Sequence, residues 1–137
     1  MKRDNTIPEE TPGLKPRPTY VFPFETLDVY QMAVDFADYV LGLLGRIPLN
    51  KHFRLISQTE GAVVSVSQNI AEGKGRFSKK EFIQFLYISR GSLFETITLL
   101  EIFRRRKWIG DSDFASLKMK AIQLGKRINS LINSLKR

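Results

Sequence analysis

Over residues 24–46, apolar or small side chains recur at Leu27, Tyr30, Val34, Ala37, Leu41 and Leu44, with spacings that alternate between three and four. That is the period of one face of an α-helix. Val29, Met32, Ala33, Phe36, Val40 and Leu43 widen the stripe, and Asp28, Asp35 and Asp38 mark its wet side, so this helix is expected to touch more than one neighbour. Pro48 ends it, and Asn50 is placed to cap a second helix over residues 51–72. That helix carries Phe53, Ile56, Val63, Val66 and Ile70, with Gly61, Ser65 and Ser67 as points of close helix contact. A third stripe, Phe82, Phe85, Leu86, Ser89, Leu93, Ile97, Leu100 and Phe103, predicts a helix over residues 79–107. After Gly110, a cap at Asp111 or Ser112 opens a fourth, with Phe114, Leu117, Ala121, Leu124, Ile128, Leu131 and Leu135. Four apolar stripes with short connections predict an all-α fold, an antiparallel up-down-up-down four-helix bundle over residues 24–137.

The connection between the second and third helices is the most informative stretch, SVSQNIAEGKGRFSKK at residues 65–80. Ser78 followed three residues later by Glu81 is the pattern in which a hydroxyl and a carboxylate satisfy the free N–H groups of a helix start. Gly73 and Gly75 bracket Lys74, where the chain can take a positive φ without steric penalty, so the preceding helix is expected to stop at Glu72.

Charge divides the chain unevenly. Residues 24–48 carry one Lys or Arg against four Asp or Glu, net −3, whereas residues 49–137 carry seventeen against seven, net +10. Such asymmetry points to a polyanion partner or to complementary faces that meet between identical subunits. Five of the six prolines lie in residues 1–23, which are read as an irregular arm whose Tyr20, Phe22 and neighbouring Phe24 anchor it to the body. The first residues lack the apolar core of a signal peptide, and no apolar run reaches the roughly 20 residues that cross a bilayer, so the expectation is a cytoplasmic protein without a membrane partner. With no cysteine, thiolate chemistry and disulfides are excluded. No cofactor is expected.

Three motifs in order, LDVYQMA at residues 27–33, the run from Ser65 to Leu86, and ISRGSLFE at residues 88–95, make the chain resemble the four-helix-bundle proteins encoded by intervening sequences in bacterial 23S rRNA genes. The resemblance implies a homopentamer with a central channel. It also implies kinship with the accessory variability proteins of diversity-generating retroelements, which bind nucleic acid and a reverse transcriptase. The chain departs from the family pattern at Ser67, where a proline is common, and at Glu60 and Gly61, which replace a basic pair.

The candidate site residues are cations. Lys74, Arg76, Lys79 and Lys80 stand at a helix start, where free N–H groups and the helix dipole favour an anion. Arg104 and Arg105, with Arg106 and Lys107, form a second cluster at a helix end, where the dipole favours cations. At least one is expected to meet an acidic residue on another surface, and the Asp28, Asp35 and Asp38 side of the first helix is a candidate that a head-to-tail ring could supply from a neighbouring subunit. Asn69, Glu72, Gly73, Ser78, Glu81, Gly91 and Glu95 are read as structural: Gln58, Ser65 and Glu72 as a polar seam, Gly91 with Ser92 as a point of close approach, and Glu95 as an ion-pair or hydrogen-bond partner. His52, the single histidine, has no metal-site spacing around it, and no triad is visible. The expectation is a non-catalytic oligomeric bundle that binds RNA or DNA backbone, with a protein-interaction scaffold as the alternative.

Overall fold

A computed structural model of the chain describes residues 21–48 and 50–137. A single 3₁₀ turn, Pro23–Thr26, precedes four helices: α1 Asp28–Leu44, α2 Phe53–Lys74, α3 Lys79–Arg105 and α4 Asp111–Leu135. Neighbours in space are α1·α2, α2·α3, α3·α4 and α1·α4, with α2·α3 the most extensive pair, so the helices run up, down, up and down around one core. The 3₁₀ turn packs on α1 and α2, and its Phe24 ring meets Tyr30 edge-on at 4.9 Å and Phe22 in a stack at 5.5 Å. Residues 1–20 of the arm, Tyr20 among them, lie outside the described residues.

The core is built from the predicted stripes, rotated in α1. Val29, Ala33, Phe36, Ala37, Val40, Leu43 and Leu44 are buried, whereas Val34 is exposed. Most of the widening set therefore faces the core together with Ala37 and Leu44, and the rest of the stripe first counted runs along its edge. In α2, Phe53 is 72% exposed, against expectation, because it is the first residue of the helix and lies beyond the core. Leu86, Leu93, Leu100 and Phe103 of α3 interleave with Leu117, Leu124 and Ile128 of α4, all essentially dry. Each such side chain contributes about 1.5–3 kcal/mol by leaving water.

Helix ends differ from the sequence expectations in four places, each for a local reason. Asn50 does not cap α2: the Lys51 N–H bonds to the Pro48 carbonyl at 3.0 Å, and the cap position falls to His52 in the left-handed region, φ 57°. Its imidazole stacks on Trp108, with ring centroids 3.4 Å apart. The second difference is at the end of α2, which runs on to Lys74. Gly73 is a helical residue and Gly75 has φ −79°, so neither glycine supplies a positive φ. Third, α3 stops at Arg105 because Lys107 adopts φ 61°. The Lys107 N–H then reaches the Arg104 carbonyl at 2.9 Å and the Trp108 N–H the Phe103 carbonyl at 2.9 Å, a Schellman closure sealed by the Phe103 and Trp108 rings. Lastly, Gly110 is the cap residue of α4, and Asp111 is its first residue.

The polar seam between α2 and α3 forms in a modified version. Ser65 and Ser92 hydroxyls lie 2.8 Å apart, Asn69 donates to the Ser65 carbonyl (2.8 Å) and hydroxyl (2.9 Å), and Gln58 donates to Glu95 at 3.3 Å. Buried Ser89 donates to the Val66 carbonyl at 2.7 Å, tying α3 to α2 by a side chain. Glu72 is outside the seam: its carboxylate turns to Arg76. Gly91 and Gly61 do not mark close contacts, since a Cβ on either would meet open space.

Candidate functional site

The start of α3 is fixed by its own sequence. Ser78 has extended backbone, and its hydroxyl accepts from the Glu81 N–H at 3.2 Å. That hydroxyl in turn donates to the Glu81 carboxylate at 3.2 Å, so the carboxylate closes on the Ser78 side chain rather than on its N–H, and only half of the expected reciprocal box forms. The connection upstream can be short because Gly73 lets α3 approach α2: a Cβ there would lie 2.6 Å from the Phe85 Cβ and 2.9 Å from a Phe82 ring carbon.

On this frame the four cations of the connection are not equivalent. Arg76 bonds to Glu72 at 3.0 Å and lies 4.6 Å from the Phe85 ring centroid, which holds it back along the helices. Lys74 approaches the Phe82 ring at 6.0 Å. Lys79 and Lys80, in the first turn of α3, are exposed and make no ion pair among the described residues, so their charge faces water beside unpaired helix N–H groups. Phe77 between them and Arg76 is fully exposed.

Arg104 and Arg105 lie at the other end of the bundle, about 40 Å away along a 27-residue helix. The structure thus separates the six predicted cations into two groups. The second group is already engaged. Arg104 grips Glu101 through two nitrogens, at 2.8 and 3.0 Å, reaches Asp111 at 3.5 Å and covers the Phe114 ring at 5.4 Å. Arg105 adds a third bond to Glu101 at 3.3 Å. These hydrogen bonds, Arg104 first and then Arg105, hold the Glu101 carboxyl at about 2, well below its usual range. The acidic partners of the cluster are therefore Glu101 and Asp111. Within the chain Asp28 pairs instead with Arg127 of α4. Sequence reasoning overlooked Glu101, although its i+3 and i+4 spacing to the two arginines was a visible signal.

Among the described residues no group of three or more histidine, cysteine or carboxylate side chains could hold a metal ion. A cleft of about 300 Å³ at the far end is lined by Arg46, Lys51, His52, Trp108 and Asp113, and its one carboxylate lies 3.8 Å from Arg46. A second, of about 360 Å³ between α1 and α4, brings Asp35, Asp38 and Tyr39 beside Lys120. No described helix is long and apolar enough to cross a membrane.

The family model described as 23S rRNA-intervening sequence protein matches residues 25–130. Among solved structures the chain is similar to a protein of unknown function from the S23 ribosomal protein family of Bacteroides thetaiotaomicron VPI-5482. The TM-score is 0.71 at 24% identity, covering 76% of this chain and 97% of the other, a likeness of fold. Among curated proteins, none matches the chain.

Proposed function

The chain belongs to the 23S rRNA-intervening sequence protein family, and from that premise we propose that it is a non-catalytic bundle which binds RNA or DNA backbone through the α2–α3 end. The observation that carries this reading is the exposed pair Lys79 and Lys80 at a capped helix start, beside Lys74 and without acidic partners among the described residues. Phosphate contacts there would be charge-assisted and independent of base identity. Arg104 and Arg105, clamped by Glu101, take no part in the primary site.

Assembly into a homopentamer, implied by the family resemblance, belongs to the same reading. It is supported by apolar side chains on the outward face of α3, Ile88 (52% exposed) and Ile102 (42% exposed), with Gly91 open between them. The same observation favours the alternative, a scaffold on which a protein such as a reverse transcriptase docks. The two readings differ in salt response. Binding of labelled RNA, followed by fluorescence anisotropy over a salt series, is expected to weaken steeply with salt in the parent. In the Lys79→Ala/Lys80→Ala variant the log–log slope falls by about 2. Equal slopes in parent and variant would refute the site.

A further inference from the structure

Beyond the basic end, the face shared by α3 and α4 combines rings, cations and amides that no backbone-only site requires. From Phe114 to Arg137 the chain has six Lys or Arg and no Asp or Glu. Arg127 is used by Asp28, and Lys120 sits 5.1 Å over the Tyr39 ring on the α1 side. Of the remaining charge, one side chain contacts α3. There Lys136 donates to the Tyr87 hydroxyl at 2.8 Å and covers the same ring at 5.4 Å. One turn on, Arg90 lies between two rings, 4.8 Å from Tyr87 and 5.8 Å from Phe94, and donates to the Asn129 side-chain amide oxygen at 2.9 Å.

The register extends this row to the basic end. Lys80, Tyr87 and Phe94 are seven residues apart on α3, so they lie on one stripe with only about 20° of drift per step. On α4 and its C-cap, Lys126, Asn129, Asn133 and Lys136 recur at spacings of three, four and three, all exposed, with Asn129 and Lys136 contacting α3. Glu95, the acid nearest in sequence to Phe94, turns the other way to accept from Gln58 of α2. Phe94 is 59% exposed and Tyr87 is 38% exposed, so both rings present surface to solvent beside cations.

We propose that this α3·α4 face binds single-stranded nucleic acid, with bases stacking on Phe94 and Tyr87 while Arg90, Lys126 and Lys136 neutralise phosphates. Flat rings accept any base, cations follow the backbone, and the Asn129 and Asn133 amides can donate to and accept from unpaired base edges. A duplex hides its base faces and gains nothing from the rings. The hydrogen bond from Lys136 also holds the Tyr87 phenol below its ordinary pKa, which marks how positive the site is. The inference rests on the nucleic-acid reading of the basic end and adds which form of nucleic acid is chosen. These residues escaped sequence reasoning because Arg90 and Asn129 are 39 positions apart and Tyr87 and Lys136 are 49 apart.

The test is anisotropy with a labelled oligouridylate and with an RNA duplex of equal length, at one salt concentration, on the full chain and three variants. Phe94→Ala removes an exposed ring and leaves the core intact. It is expected to weaken oligouridylate binding by about fivefold or more with duplex binding unchanged, and Phe94→Tyr is expected to restore it. Lys79→Ala/Lys80→Ala is expected to weaken both ligands alike. If Phe94→Ala binds oligouridylate as the parent does while the lysine variant is weakened, the α3·α4 inference falls and the basic-end reading stands. Absence of binding by the parent would overturn both. A changed particle mass for Phe94→Ala by light scattering, with unchanged affinity, would overturn the inference by assigning the face to a second copy.

Discussion

At Gly73 the backbones of α2 and α3 are closer than any other side chain permits. A methyl group would sit 2.6 Å from the Phe85 Cβ, an atom fixed to the α3 backbone that cannot swing aside. Gly73→Ala is therefore expected to cost about 1–3 kcal/mol, read as a lower denaturant midpoint at unchanged slope. Gly91→Ala is the opposite case, an exposed helical position with open space, and is expected to gain about 0.5–1 kcal/mol. The pair of glycines around Lys74 marked Gly73 as special from sequence, but for a left-handed turn; the requirement is close approach. That distinction was not legible, because it depends on Phe82 and Phe85 arriving from the next helix. The left-handed positions are His52 and Lys107, neither a glycine. Composition gives no hint of them, since both conformations are imposed where chain segments fold back beside Trp108.

At the scale of the element, the end of α3 is a clamp, with Glu101 held by Arg104 and Arg105 and Arg104 extended to Asp111 at the start of α4. Both arginines lie where the helix dipole favours positive charge, which gives them a structural role independent of any ligand. The Glu101 carboxyl has a folded pKa of about 2 against an ordinary 4.5. Its contribution to stability is thus fully present above pH 4.5 and is lost as the pH falls through about 2. Melting curves of Glu101→Gln and the parent should differ at pH 7, and the difference should close by pH 2. A gap that stays constant with pH would contradict the clamp. Periodicity located all four helices and most of their buried faces, because the core repeats its demand every turn. It placed the boundaries less well: the Asn50 cap, the Glu72 stop and the α4 cap all yielded to nearby backbone hydrogen bonds that pattern does not encode.

For the whole molecule, an up-down-up-down path puts the α2–α3 connection and the C-terminal end of α4 at one end, and the Arg104–Arg105 clamp at the other. The net +10 of residues 49–137 is therefore not one patch. Lys74, Lys79, Lys80 and Lys136 gather at the first end, while the arginine cluster is largely spent on Glu101 and Asp111. Topology alone makes this separation, which is why cations adjacent in a charge tally belong to different surfaces. The proposed function is electrostatic binding of a nucleic-acid backbone at the first end. Its most direct test is light scattering after chromatography of the full chain, with absorbance at 260 and 280 nm recorded across the peak in low and in high salt. The expected result is a particle that carries nucleic acid in low salt and releases it in high salt. A particle free of nucleic acid in low salt, even after RNA is added, would contradict it.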